Sequence, residues 1–179
     1  MKINHNNYFQ LAYNQAKINL GKTNQNPSVG CIVVKNNSVI SSGVTSLGGR
    51  PHAEYNALKE KKNFKNSNLY LTMEPCTHHG LTPPCTDLII KKGVKKVFYS
   101  LNDVDKRTAN KSKKILNKAN IQVYQKKNKD INDFYESYFL IHKDNIPFID
   151  AKLAISKDYF TINKKKKMDN KFYVKKCRA

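Results

Sequence analysis

A chain of 179 residues has room for one globular domain of ordinary size and not for two full ones, and hydrophobic residues at 39% suffice to build a core. The formal charge of +20 invites a nucleic-acid reading, but the lysines are spread along the whole chain among many asparagines, so nucleic acid is not expected as a partner. Met1 to Gln10 lacks the apolar run of a signal peptide and no stretch nears the roughly 20 apolar residues of a membrane span, so a cytoplasmic protein without a membrane partner is expected.

Tyr8 to Leu20 brings Phe9, Leu11, Ala12, Ala16 and Leu20 near one face at helical spacing, and Gly21 is a natural stop: a first helix is predicted. Val29 to Val34 is short, apolar and β-rich, Asn36-Asn37 is a turn signal, and Val39 to Val44 returns as the hairpin partner. After the turn at Gly48-Gly49 a helix is expected from about Ala53 to Lys61, then a strand from Leu69 to Met73. Pro83-Pro84 precedes a helix from about Thr86 to Lys92, followed by a strand from Val94 to Ser100. A helix from Ala109 to Ala119, a short strand from Ile121 to Tyr124 and one last helix from Asp130 to His142 complete the pattern. A strand pair followed by alternating helices and strands predicts a three-layer α/β/α sandwich around a mixed five-stranded sheet.

Chemistry concentrates in two places. His52-Ala53-Glu54 is followed by Pro75-Cys76 and, beyond a loop of eight residues, by Cys85. One imidazole and two thiolates make three ligands for a zinc ion that keeps a fourth position for water, as hydrolytic zinc requires. Glu54, two residues after the ligand histidine, is left free to act as general acid and base, the division of labour found in zinc deaminases. Both segments fall at strand-to-helix junctions, where unpaired N–H groups favour thiolate over thiol. Cys31 lies in an apolar strand and reads as core, Cys177 is in the tail, and no disulfide framework is implied. A reducing cytosol suits thiolate ligands.

The stretch from Thr72 to Cys85 resembles the deaminase domain of the bifunctional riboflavin-biosynthesis deaminase/reductase family, together with Asn26-Pro27-Ser28-Val29-Gly30-Cys31 and Gly49-Arg50-Pro51-His52-Ala53-Glu54 in the same order. The resemblance covers roughly residues 7 to 145 and implies a cytidine-deaminase-like fold, a Zn2+ cofactor, and a phosphorylated pyrimidine substrate, 2,5-diamino-6-(5-phosphoribosylamino)pyrimidin-4(3H)-one. It implies that Asn26 hydrogen-bonds the pyrimidine ring, with shaping of the turn before Pro27 as the alternative, and that His78 lies near the substrate. Leu81 stands where the family usually has Lys or Arg, a position associated with the substrate phosphate, and Thr45 where it often has His. Arg50, His79 and Lys106-Arg107 are the candidates for the missing cation, although a histidine placed like His79 is more often a solvated loop residue than a ligand. A homo-oligomer is a further implication of the family.

Pro147 to Asp158 resembles the opening strand of that family's reductase domain, and Lys164 to Lys167 is a charge run. Residues 146 to 179 are therefore expected to be the truncated start of a reductase domain plus a basic, partly disordered tail. Reductase activity is expected to be absent, leaving that step to a separate reductase. Two rival readings stand beside the deaminase: a zinc deaminase of another nucleobase or of tRNA, against which the long loop between the cysteines argues, and a catalytically inactive zinc-binding remnant.

Overall fold

The computed structural model describes residues 4–146 and 148–149. Helix α1 (His5–Ile18) is capped by Asn4, whose side chain accepts from the Asn6 N–H. It buries Phe9, Ala12 and Ala16, whereas Leu11 and Leu20 are 42% and 41% exposed, against expectation. The physical reason is close approach: a Cβ on Gly30 would lie 1.8 Å from the Ala12 carbonyl oxygen, so the contact face is the narrow one made by small residues. Leu20 falls beyond the helix end.

Strands β1 (Gly30–Lys35) and β2 (Ser38–Val44) form the predicted hairpin, with Asn36 and Asn37 both at positive φ (51° and 61°), the backbone a two-residue turn of this hand demands. Next come α2 (Ala53–Leu58), β3 (Asn68–Met73), α3 (Cys85–Lys91), β4 (Lys96–Leu101), α4 (Ser112–Lys118) and β5 (Gln122–Gln125). The sheet order is β2-β1-β3-β4-β5, with β1 antiparallel to both neighbours and β3, β4 and β5 mutually parallel. Alternation along the strands divides the core in two. Val33, Leu69, Leu71 and Val97 meet Ala57, Ile89 and Leu116 of α2, α3 and α4, while Ile32, Tyr70 and Phe98 meet Phe9 of α1 and the last helical segment. This is the predicted three-layer mixed α/β sandwich.

The single last helix expected from Asp130 to His142 is instead α5 (Lys129–Phe134), α6 (Glu136–Phe139) and a wide turn, Leu140–Asp144. The break falls at Tyr135, which is fully buried: its hydroxyl donates to the Ser28 carbonyl at 2.7 Å and lies 2.6 Å from the Thr72 hydroxyl. Helix α4 likewise starts later than expected, because the residues before it are drawn into a turn with Asn110 at φ 63°. No helix among the described residues is long and apolar enough to cross a membrane. The expected strand from Phe148 to Ile155 and the basic run at Lys164 to Lys167 lie, all but Phe148 and Ile149, outside the described residues.

Candidate active site

The site lies where the parallel strands β3 and β4 end, the edge at which open α/β sheets place their ligands. The chain leaves β3 at Met73 and delivers Glu74 and Cys76 within three residues; it leaves β4 at Leu101 and delivers Asp103 and Asp105. From the other direction α2 brings His52 as its N-cap and Glu54 in its first turn. Helix α2 sits hard against β2, because a Cβ on Gly43 would lie 2.3 Å from the Ala53 carbonyl oxygen. Glycine at that position is what allows His52 and Glu54 to reach the sheet edge.

His52 Nδ1 lies 3.6 Å from Cys76 Sγ and 3.5 Å from Cys85 Sγ, and the three ligand atoms are all within 4.8 Å of one another. A tetrahedral zinc with Zn–S of about 2.3 Å and Zn–N of about 2.0–2.1 Å separates nitrogen from sulfur by about 3.6 Å, so the donor set fits that ion. The Cys85 N–H donates to Cys76 Sγ at 3.2 Å. Cys76 is held well below the ordinary thiol range by sharing the Cys85 proton and by His52, whereas Cys85 is pushed up by that same shared proton and by burial. One thiolate is thus ready and the second proton must be displaced when a metal binds.

Glu54 is 3% exposed, and burial, aided by the negative charge at Cys76, pushes its carboxyl up to about 7. A carboxyl poised there can both take and return a proton near neutrality; a bound dication draws the value down.

A cavity of about 70 Å³ opens in front of these groups. Asn26, Thr45, Arg50 and His78 reach it, as do Asp103, Asp105, Arg107 and Tyr138. Asn26 donates through Nδ2 to the Gly49 carbonyl at 3.2 Å, and His78 Nδ1 lies 3.1 Å from the Thr108 hydroxyl. Thr45 has a backbone role: its hydroxyl accepts from the Val29 N–H at 2.9 Å, just before β1. Two residues stand apart. His79 is exposed, 3.9 Å from Asp87 of α3, and does not line the cavity; Leu81 is 89% exposed and does not line it either. The sequence reading of His79 as a substrate contact thus has no geometric counterpart here.

In the loop after β4 the sequence reading singled out only Lys106-Arg107 and missed Asp103 and Asp105. Arg107 Nε donates to both oxygens of Asp105 at 3.0 Å, and this guanidinium holds the Asp105 carboxyl down to about 2. Asp103 accepts from the Tyr138 hydroxyl at 3.2 Å, and burial raises its carboxyl. The buried Glu74 carboxylate holds the loop in place by accepting from the N–H groups of Asp103, Asn110 and Ser112. The available signal was positional, two carboxylates immediately after an apolar strand in a parallel sheet.

Residues 2–101 match the family model described as the cytidine and deoxycytidylate deaminase zinc-binding region. The chain is 37% identical over 153 residues to the riboflavin biosynthesis protein RibD of Actinobacillus pleuropneumoniae, covering 84% of this chain and 41% of that protein. It is 38% identical over 117 residues to the diaminohydroxyphosphoribosylamino-pyrimidine deaminase of Buchnera aphidicola subsp. Schizaphis graminum, covering 65% of this chain and 80% of that one. A crystal structure of the diaminohydroxyphosphoribosylaminopyrimidine deaminase/5-amino-6-(5-phosphoribosylamino)uracil reductase of Thermotoga maritima superposes with a TM-score of 0.79 at 34% identity, over 85% of this chain and 45% of that one. The chain thus spans about two fifths of the length of the RibD relatives it matches.

Proposed function

The chain belongs to the cytidine and deoxycytidylate deaminase zinc-binding family, and on that premise we propose that it hydrolyses the 2-amino group of 2,5-diamino-6-(5-phosphoribosylamino)pyrimidin-4(3H)-one, an intermediate of riboflavin biosynthesis. The products are ammonia and 5-amino-6-(5-phosphoribosylamino)uracil. The observation that carries the deamination is the meeting of Glu54 with the His52, Cys76 and Cys85 ligand atoms at one cavity. The substrate reading is supported by the names of the Buchnera and Thermotoga relatives.

His52, Cys76 and Cys85 would hold the zinc ion, which would supply Lewis acidity that brings the pKa of a water molecule to about 7. Glu54 accepts the proton of the attacking water. Glu54 passes that proton to the ring nitrogen as the ring carbon bearing the amine becomes tetrahedral; it then takes the proton of the newly added hydroxyl and gives it to the amine, so that ammonia leaves as the C=O forms. Asn26 has its NH2 engaged by the Gly49 carbonyl, so its side-chain oxygen is the group left to accept from a ring N–H. His78, oriented by Thr108, is assigned to the substrate side of the cavity. Arg50 is assigned there too.

The deaminase unit is proposed to end near Asn145, and the 179-residue polypeptide is proposed to carry no reductase step of its own, a separate reductase taking the product onward. Titration with NADPH tests the latter; tight binding overturns it. Homo-oligomerisation rests on the family resemblance and is tested by sedimentation.

The decisive experiment measures ammonia release by zinc-loaded protein from the phosphoribosylaminopyrimidine beside cytosine, adenine, dCMP and tRNA. Release confined to the phosphoribosylaminopyrimidine is the expected result. Faster release from one of the others reassigns the substrate, and none from any of them, with zinc bound, favours an inactive remnant.

A further inference from the structure

The groups that reach the cavity include four carboxylates, those of Glu54, Glu74, Asp103 and Asp105, and two guanidinium groups, those of Arg50 and Arg107. The two arginines differ in their partners. Arg107 is exposed and ion-paired with Asp105, so its charge is already matched. Arg50 is half-buried and has no carboxylate partner among the described residues; its one recorded side-chain hydrogen bond runs from Nη1 to the Thr82 hydroxyl at 2.8 Å. A guanidinium has five N–H donors, and a charged group kept partly from water without a counter-ion is waiting for an anion.

What holds Arg50 is informative as well. Thr82 belongs to the eight-residue loop between the two sulfur ligands, and so does Gly80, where a Cβ would lie 3.3 Å from Arg50 Nη2. A hydroxyl at position 82 and the absence of a side chain at position 80 therefore seat the guanidinium at the cavity. A Cys-x-x-Cys spacing has no room for such a seat.

We propose that Arg50, positioned by Thr82 and Gly80, is the specificity-determining residue that binds the phosphate monoester of the substrate, and that the long inter-cysteine loop exists in this chain to hold it. The assignment rests on the reading of the substrate as a phosphoribosyl compound and deepens it. Planar, multiply donating guanidinium matches a phosphate dianion better than any other side chain here. Leu81 is not needed for the anion, because the cation comes from the other wall of the site. Thr82 acts through Arg50 and is a positioning residue.

The test compares zinc-loaded wild type with Arg50→Gln, Arg50→Lys and Thr82→Val, with zinc content and far-UV circular dichroism confirming that each variant is folded. Calorimetry with ribose 5-phosphate reads the anion site independently of the base. Kinetics with the phosphorylated pyrimidine and its dephosphorylated form read it in turnover. Arg50→Gln is expected to weaken ribose 5-phosphate binding and to shrink the kcat/KM preference for the phosphorylated pyrimidine roughly 10- to 100-fold, the range for a charge-assisted hydrogen bond. The change should fall mainly in KM. Arg50→Lys recovers part of it, and Thr82→Val loses several-fold and adds little on top of Arg50→Gln. Ribose 5-phosphate binding that is absent in wild type or unaltered by Arg50→Gln overturns the proposal. If the sugar phosphate binds through Arg50 but the pyrimidine is not deaminated, the anion site stands and the substrate reading fails.

Discussion

Glu74 and Ser112 are joined twice: Oε1 of the carboxylate accepts from the Ser112 N–H at 3.1 Å and from its hydroxyl at 2.7 Å, while Oε2 accepts from the N–H groups of Asp103 and Asn110. One buried carboxylate at the end of β3 thereby fixes the loop that carries Asp103, Asp105 and Arg107 into the site. Replacing Glu74 with Gln turns an NH2 toward backbone donors, because an amide has only one acceptor oxygen. The substitution should cost on the order of 2–4 kcal/mol in denaturant unfolding of the zinc-loaded protein and raise KM for the pyrimidine. An unchanged unfolding midpoint would deny Glu74 this structural role.

Glu54→Gln should leave zinc content intact and lower kcat by roughly 10²–10⁴-fold, since the amide can neither take nor return the proton. Zinc stoichiometry and single-turnover ammonia release, measured on the same preparation, check both halves. Residual turnover near the wild-type rate would move the acid/base role elsewhere.

Zinc uptake should be coupled to proton release. At neutral pH Cys76 is ionised while Cys85, raised by the shared proton and by burial, keeps its own; His52, raised by its hydrogen bond to Cys76, and Glu54, pushed up to about 7, hold further protons that a dication displaces, so binding expels at least one proton. Apparent zinc affinity therefore rises with pH and falls at least about tenfold per unit as pH drops through neutrality. Calorimetry in two buffers of different ionisation enthalpy measures the protons released. Identical heats in both buffers would show that no proton is released, which would overturn the protonated state assigned to Cys85.

The hydroxyls around Tyr135 form a directed chain: the Gly30 N–H donates to Thr72 Oγ1, Thr72 to the Tyr135 oxygen, and Tyr135 to the Ser28 carbonyl. Tyr135→Phe breaks its last two links inside the core and should destabilise by about 2 kcal/mol, read from chemical denaturation. The site itself should keep its zinc.

Because Tyr135 is buried and Tyr138 reaches the cavity, a chain shortened to end at Asn145 should retain zinc and most of its stability, whereas one ending at Asn128 should not fold. Zinc retention and cooperative melting separate the two outcomes. Failure of the longer version to fold would place residues beyond 145 inside the domain.

Much of this molecule was legible before any coordinates. The apolar runs at Val29–Val34, Leu69–Met73 and Val94–Ser100 gave three central strands to within two residues, and Asn36-Asn37 gave the hairpin turn. The motif around His52, Glu54, Cys76 and Cys85 was legible because each partner sits within a few residues of a strand or helix end, so local spacing nearly fixes its direction. Chemistry supplied the remainder, three soft or borderline donors and one free carboxylate.

Other features depended on contacts between distant segments. Leu11 looked as buried as Ala12 by period, but only the docking of α1 on Gly30 decided which face was inside. The last helix breaks at Tyr135 because Ser28 and Thr72 wait for its hydroxyl, residues more than sixty positions away. Arg50 and Arg107 are alike in sequence and differ in the fold: Arg107 is paired with Asp105, whereas Arg50 is seated on Thr82 with no carboxylate partner among the described residues. The sequence by itself determined most of the elements and the candidate zinc ligands and acid/base, since periodicity and spacing report what lies within one or two turns of chain. Only the tertiary structure decided which charges are matched and which loop Glu74 restrains, because the partners of a buried polar group come from whichever strands happen to be neighbours.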